Sequence, residues 1–100
     1  PTPNVSLIDL TVELESDATP TDVNAAYRAA SQGPLQGILQ YSEDPVVSVD
    51  MNGNAHSAIL DAPLTAGLDK RMVKVIAWYD NEWGYSCRIR DLIKYMASRD

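Results

Sequence analysis

Apolar and polar residues alternate most regularly near the start of the chain, in the segment VSLIDLTVELE at residues 5–15. In an extended chain, successive side chains point to opposite sides. The mainly apolar side would carry Ser6, Ile8, Leu10, Val12 and Leu14. The other side would be mixed, with Val5, Leu7, Asp9, Thr11 and Glu13. The pattern therefore predicts a long strand whose mixed face meets another sheet or subunit.

A helix is predicted after this strand, within ATPTDVNAAYRAAS. The Thr19 hydroxyl can accept a hydrogen bond from the first turn of a helix, and Pro20 suits the first helical position. The apolar side of the helix would carry Val23, Ala26, Tyr27 and Ala30. We expect the helix to end at Gly33 and Pro34, because glycine favours helix ends and proline cannot continue a helix.

The middle of the chain predicts short strands. A brief extended piece is expected around ILQY, at residues 38–41. The segments PVVSVDM and HSAILDA are rich in β-forming residues, and the connection NGNA between them contains the pair Asn52-Gly53. Since Asn-Gly pairs favour the tight turns of hairpins, these two segments are predicted to form a β-hairpin.

The final third of the chain predicts one more strand and one more helix. RMVKVIAWY, at residues 71–79, is rich in β-branched and aromatic residues. Beyond it, apolar residues at helical spacing predict an amphipathic helix, and its stripe consists of Tyr85, Ile89, Leu92, Ile93 and Met96. The order of elements favours an α+β fold. We expect a mostly antiparallel mixed sheet with helices on one face, ending in this amphipathic C-terminal helix.

Composition and charge narrow the range of functions. With 45% hydrophobic and 22% charged residues, a chain of 100 residues is typical of one soluble globular domain. The net charge of −6 argues against nucleic acid as a partner, and no segment is apolar for long enough to cross a membrane. Cys87 is the only cysteine and His56 the only histidine, which leaves no internal disulfide and no set of zinc ligands. These features predict a cytoplasmic protein without a metal.

Few residues could perform nucleophilic catalysis. Cys87 would lie on the last helix, roughly opposite its apolar stripe, and no histidine base is near it in the sequence, so we interpret it as a bystander. His56 is more typical of a solvated or hydrogen-bonded histidine at a strand end than of a base. Asp50 and Asp61 could form a carboxylate pair, yet both positions are typical of polar strand ends. Because the glycines also match no phosphate-binding loop, we expect no complete catalytic site in this chain.

The densest group of aromatic and amide side chains is WYDNEWGYSCR, at residues 78–88. As a junction between a strand and a helix, it would use Asp80 or Asn81 as the helix cap. Trp78, Trp83 and Tyr85 would be packing anchors. Alternatively, an amide at this junction could hold a ligand carboxamide, because it both donates and accepts hydrogen bonds. The pattern alone favours the junction and leaves the second use open.

Four motifs occur in order through nearly the whole chain: PTPNVSLIDLTV, SQGPLQGIL, VVSVD before HSAILDA, and WYDNEWGYS. Together they resemble the C-terminal part of glyceraldehyde-3-phosphate dehydrogenase. The resemblance implies that residues 1–100 are the later part of that enzyme's catalytic domain, with residues 84–98 as a C-terminal helix that packs against the nucleotide-binding domain. It also implies a homotetramer that oxidises an aldehyde phosphate with NAD or NADP and inorganic phosphate.

The resemblance also assigns roles to individual residues. Asn81 matches the asparagine that binds the nicotinamide carboxamide, and Tyr85 matches the aromatic residue beside the same ring. No catalytic residue is carried over, because the resemblance implies that the nucleophilic cysteine and the base histidine precede Pro1. Two alternatives stay open. One is erythrose-4-phosphate dehydrogenase of the same family, which shares DNEWG and an HSAI-like segment, and the other is a self-standing oligomerisation or interaction module.

Overall fold

The computed structural model describes residues 4–99. Within this range the chain forms five β-strands and two α-helices. In chain order they are β1 (Ser6–Glu13), α1 (Pro20–Gln32), β2 (Leu39–Ser42), β3 (Ala58–Asp61), β4 (Ala66–Gly67), β5 (Met72–Tyr79) and α2 (Trp83–Ser98). Short 3-10 helices cover Ser48–Met51 and Ala62–Leu64. The predicted α+β class is confirmed, as are the strands near residues 5–15, 38–41 and 71–79.

The five strands form one sheet in which β5 has neighbours on both edges. Along one edge it pairs antiparallel with the whole of β1, from Ser6 opposite Tyr79 to Glu13 opposite Met72. Along the other edge it pairs antiparallel with β3 and then with β4. The 3-10 helix Ala62–Leu64 lies between these two short strands and carries the chain around the unpaired part of that edge. Only the outer pair, β2 with β3, is parallel, so the sheet is mostly antiparallel as predicted.

Each face of the sheet has its own apolar packing. On one face, Val12, Val73 and Val75 line an apolar cleft together with Val23 and Tyr27 of α1. On the other face, a core cluster forms from Val5, Met51 and Ile59, with Val46 and Trp78 packed against it. α1 therefore covers part of one side of the sheet and the segment around Met51 covers part of the other, while most of β1 stays exposed.

The beginning of α1 follows the prediction. Thr19 is the N-cap, and its hydroxyl accepts a hydrogen bond from the Asp22 backbone N–H at 3.2 Å. The Asp22 carboxylate in turn accepts from the Thr19 N–H at 3.0 Å, which completes a capping box. Pro20 occupies the first turn, and Gly33 lies at the C-cap. The helix ends where the sequence predicted.

The predicted hairpin between PVVSVDM and HSAILDA is wrong. Residues 45–47 form no regular element, Ser48–Met51 is a 3-10 helix, and β3 pairs instead with β2 in parallel. Asp50 caps the 3-10 helix by accepting from the Val47 N–H at 2.8 Å, and Met51 is buried in the core. Gly53 does turn the chain with a positive φ of 76°, but the turn leads away from a 3-10 helix and not from a strand.

The apolar stripe of α2 points away from the rest of the described chain. Tyr85 is 69% exposed, Ile93 is 62% exposed and Met96 is 60% exposed. The helix instead turns Gly84 and Cys87 inward, so its inner face consists of small residues. The predicted helix and stripe are correct, but no described residue covers the stripe. Neither α-helix within residues 4–99 combines the length and apolar character that a bilayer-spanning segment requires.

Trp78 is fixed by a buried carboxylate as well as by apolar packing. Asp61, at the end of β3, is only 2% exposed, and its Oδ2 accepts a hydrogen bond from the Trp78 indole Nε1–H at 3.0 Å. The indole ring packs against the cluster of Val5, Met51 and Ile59. Because a buried carboxylate that loses a donor keeps its desolvation cost, this hydrogen bond should matter more than one at the surface.

We expect Trp78→Phe to lower the free energy of unfolding by about 1–3 kcal/mol, because the Asp61 carboxylate loses a donor. Trp83→Phe is the matched control, since Trp83 is 49% exposed. Its effect should stay within about 0.5 kcal/mol. Denaturant unfolding of both variants measures the difference, and equal losses would contradict this role of the indole N–H.

Candidate functional site

The end of β5 carries a buried carboxylate that accepts four hydrogen bonds. Asp80 is 3% exposed. Its Oδ1 accepts from the backbone N–H groups of Glu82 at 3.1 Å and Trp83 at 3.0 Å. Its Oδ2 accepts from the Gly53 N–H at 2.9 Å and from Asn4 Nδ2 at 3.1 Å. The N-cap of α2 is Glu82, so neither predicted residue occupies the cap position, but Asp80 still binds the backbone N–H groups of Glu82 and Trp83 where α2 begins.

These donors keep Asp80 ionised. The backbone N–H of Trp83, followed by that of Gly53, lowers the pKa of the Asp80 carboxyl below its ordinary value, and burial opposes this shift. None of the four donors carries a charge. The carboxylate is therefore stabilised by oriented N–H dipoles, and its position depends on the chain segments that supply them.

The next residue, Asn81, is exposed, and its amide has a defined orientation. Its Oδ1 accepts a hydrogen bond from the Val5 backbone N–H at 3.1 Å. Because a backbone N–H can only donate, the amide oxygen must face Val5 and the amide Nδ2 must face away. Within residues 4–99 no group accepts a hydrogen bond from this Nδ2. Asn81 thus presents an available donor at the surface.

Val5 adopts an unusual backbone conformation next to Asn81. Its φ is +73°, in the left-handed region that β-branched residues rarely enter. The Val5 side chain is nevertheless buried with Met51 and Ile59. The Val5 N–H is bound to Asn81 and the Val5 side chain is packed in the core, and these two contacts hold the backbone in this conformation.

Asn81 opens onto a small cleft beside the first turns of α2. The cleft has a volume of about 210 Å³ and is lined by Ser57, Tyr79, Asp80, Asn81, Gly84, Tyr85 and Arg88. A Cβ atom at position 84 would lie 3.0 Å from the His56 carbonyl oxygen, so a larger residue would have to push the 56–57 segment away from α2. Tyr85 and Asn81, the two residues singled out by the resemblance, therefore line one cleft.

Arg88 joins α2 to the other wall of this cleft. Its guanidinium donates to the Ser57 hydroxyl at 3.0 Å and pairs with Asp91 at 2.9 Å. Burial raises the pKa of the Asp91 carboxyl, but the hydrogen bonds and charges of Arg88 and then Arg90 lower it by more, so the pKa lies below its ordinary value. Sequence analysis missed Arg88 and Ser57, because their pairing depends on how α2 lies against a loop 31 residues away.

No hydrogen bond joins Cys87 to His56 in the described part of the chain. Cys87 is 3% exposed, so a substrate could not reach its sulfur in this conformation. The His56 imidazole Nδ1 lies 2.9 Å from Asn54 Oδ1, which also accepts from the His56 backbone N–H. Since an amide oxygen only accepts, Nδ1 carries the proton of the neutral ring. This matches a hydrogen-bonded histidine next to a strand.

A larger cleft lies elsewhere, between α1 and the end of β2. It has a volume of about 380 Å³ and is lined by polar and charged residues. Its main cation, Arg28, lies 3.8 Å from Glu43 and over the Tyr41 ring. Because this cation is already matched by an anion and an aromatic ring, we regard the cleft at Asn81 as the better candidate.

The family of this chain follows from its similarity to known proteins. The family model described as glyceraldehyde 3-phosphate dehydrogenase, C-terminal domain, matches residues 1–81. The chain is 52% identical over 99 residues to glyceraldehyde-3-phosphate dehydrogenase 2 of Bacillus subtilis, and 56% identical over 99 residues to the enzyme of Geobacillus stearothermophilus. The chain belongs to the glyceraldehyde 3-phosphate dehydrogenase family, as the motifs indicated.

The matches cover most of this chain but a minor part of each relative. They span 99% of the chain and 29–30% of the two bacterial relatives. A chloroplastic glyceraldehyde-3-phosphate dehydrogenase of Arabidopsis thaliana is 57% identical over 97 residues, which is 97% of this chain and 23% of that protein. The chain thus spans less than a third of the length of these relatives.

His56 predicts a pH dependence of stability. Burial, followed by the charge of Arg88, lowers the pKa of His56 below its ordinary value of 6.5. The unfolded state therefore binds a proton at higher pH than the folded state, and stability falls as pH drops through about 6.5. We expect the stability advantage of the native protein over His56→Gln to shrink between about pH 7.5 and 5.5. Urea unfolding across this range measures it, and a constant difference would contradict the assignment.

Proposed function

We propose that this chain is the C-terminal portion, residues 1–100, of the catalytic domain of a phosphorylating glyceraldehyde-3-phosphate dehydrogenase. The complete enzyme would oxidise an aldehyde phosphate with NAD or NADP and inorganic phosphate, giving an acyl phosphate. The family membership and the cleft at Asn81 support this proposal. Erythrose-4-phosphate dehydrogenase is the alternative substrate assignment within the same family.

Asn81 and Tyr85 would hold the nicotinamide end of the cofactor. The available Asn81 Nδ2 suits the carbonyl oxygen of a carboxamide, and the exposed Tyr85 ring can pack beside an aromatic ring. The cofactor, when bound, accepts hydride from the substrate. The two side chains would contribute by orientation, because fixing a ring relative to a substrate removes part of the entropic barrier.

The reacting groups would come from outside these 100 residues. Cys87 is buried, and neither Cys87 nor His56 lines the cleft at Asn81, so these two residues place no nucleophile and base pair there. We assign both catalytic groups to another part of the complete enzyme. This portion would then act by holding the cofactor and by supporting assembly.

The exposed apolar surfaces fit packing against the rest of such an enzyme. The α2 stripe would pack on the nucleotide-binding domain, and the mixed face of β1, with the exposed Leu7, would contribute to a homotetramer interface. A cytoplasmic location is proposed with the same function, because the single buried cysteine suits a reducing compartment.

The activity is tested with the complete enzyme, NAD or NADP, and inorganic phosphate. Glyceraldehyde 3-phosphate should be turned over with a kcat/KM at least about tenfold above that of erythrose 4-phosphate. Formation of NADH or NADPH at 340 nm on the order of minutes after mixing measures both reactions. A preference for erythrose 4-phosphate would replace the substrate assignment. The proposed function would be overturned if neither aldehyde phosphate showed phosphate-dependent turnover.

The cofactor role of Asn81 is tested by comparing NAD with ADP-ribose, which lacks the nicotinamide. Asn81→Ala in the complete enzyme should weaken NAD affinity about 5–10-fold, as expected for one lost hydrogen bond, and leave ADP-ribose affinity within about twofold. Calorimetric titration of both ligands gives the ratio.

Asn24→Ala is the matched control for this experiment. Asn24 on α1 donates to the Ala62 carbonyl and accepts from Thr65, so its loss should affect stability alone. An Asn81→Ala variant with an unchanged NAD to ADP-ribose ratio would reduce Asn81 to a residue at the start of a helix.

A further inference from the structure

The Asp80 carboxylate connects three parts of the chain that are distant in sequence. Asn4 precedes β1, Gly53 lies in the turn after the 3-10 helix, and Glu82 and Trp83 are the N-cap and the first residue of α2. Each Asp80 oxygen accepts two of the four hydrogen bonds from these segments. The Asp80 carbonyl also accepts from the Gly84 N–H at 3.0 Å, which fixes the backbone on both sides of Asn81.

Asn81 lies between these fixed points, and its orientation depends on them. The backbone before it is anchored through the Asp80 carboxylate, and the backbone after it through the N–H groups of Glu82, Trp83 and Gly84. Its Oδ1 is bound by the Val5 N–H. The amide therefore has little freedom to exchange its donor and acceptor ends.

Asp80 also helps to hold Val5, whose backbone N–H donates to the Asn81 Oδ1. Asn4, which directly precedes Val5, donates through one Nδ2 to Asp80 Oδ2 at 3.1 Å and to Asn52 Oδ1 at 3.2 Å. This anchor holds the backbone at Val5 while its φ is +73°. Without Asp80, Val5 could relax toward an ordinary extended conformation, and its N–H would turn away from Asn81.

We propose that Asp80 is a positioning residue that holds the Asn81 amide with its Nδ2 directed outward, as a donor to the carbonyl oxygen of a nicotinamide carboxamide. This inference rests on the proposed function and adds the reason why one end of the Asn81 amide faces the ligand. Asp80 acts through Asn81 and Val5, and it need not contact the cofactor. Its effect should therefore be confined to the nicotinamide end of the ligand.

The test is Asp80→Asn in the complete enzyme, which keeps the size of the side chain and replaces one acceptor oxygen by a donor. We expect NAD affinity to fall about 5–10-fold while ADP-ribose affinity changes less than about twofold. A role limited to stability would lower the melting temperature and leave the ratio of the two affinities unchanged. That unchanged ratio would overturn the proposal.

Asp22→Asn is the matched control, because the Asp22 carboxylate also accepts a backbone N–H, from Thr19 in the capping box of α1. It should lower the melting temperature without changing the ratio. If Asp22→Asn changed the ratio as much as Asp80→Asn, the effect would come from general destabilisation, and the proposal would be wrong.

A double variant separates this inference from the proposed function. If Asp80 acts through Asn81, Asp80→Asn combined with Asn81→Ala should lower the ratio no further than Asn81→Ala alone. Additive losses would overturn the positioning role and leave the function standing. An unchanged ratio in Asn81→Ala itself would instead count against the proposed cofactor site.

Asn4→Ala provides a second, milder variant in case Asp80→Asn does not fold. It removes one donor to Asp80 and the anchor next to Val5, and keeps the three backbone donors. We expect a loss of about 2–4-fold in NAD affinity relative to ADP-ribose. A folded Asn4→Ala variant with the native ratio would overturn the proposal.

Discussion

Pairing to β5 is the interaction on which the described fold depends. This strand hydrogen-bonds to β1 along its whole length and to β3 and β4 on its other edge. Its alternating side chains contribute to the apolar packing of both faces, with Val73 and Val75 toward α1 and Trp78 toward the Met51 cluster. Since its last residues lead directly into Asp80 and Asn81, the same pairing that builds the core also determines where the candidate site lies.

The end of β5 shows how a buried charge can organise a loop region without a counter-ion. Each donor to Asp80 is a neutral N–H group, and three of the four belong to the backbone. Such a carboxylate specifies geometry more strictly than a surface ion pair, because every donor must keep its direction for the charge to remain solvated. The buried pair of Asp61 and Trp78 applies the same principle inside the core.

The sequence predicted those parts of the fold that depend on local pattern. The Thr19 cap, the alternation in β1 and the β-branched run of β5 each act within a few residues. The hairpin prediction was wrong because the Asn52-Gly53 pair indicates a turn but not the structure on either side of it. It does not reveal that Met51, just before the turn, is buried in the core. Likewise, the stripe of α2 is correct as a pattern, yet nothing local in the sequence reveals that this stripe faces away from the other described residues.

Only part of the candidate site could be predicted from the sequence. Motif resemblance identified Asn81 and Tyr85, and capping preference named Asp80 as one of two candidates. The links from Asp80 to Asn4 and Gly53 span 76 and 27 residues and leave no periodic signal in the sequence. The positive φ of Val5 could not be predicted from the sequence either, because the residue type that favours such a conformation is glycine and not valine.

The separation of Asn4 from Asp80 also has a consequence for how the chain folds. Closing a loop of this length costs chain entropy before any contact repays it, so such a link forms late, after the helices have had time to appear. During synthesis it must wait until β5 and the start of α2 have left the ribosome. Because pairing of β1 with β5 closes the same loop, and Val5 next to Asn4 belongs to the core cluster, the hydrogen bonds at Asp80 can form only together with that pairing and with the packing of the core.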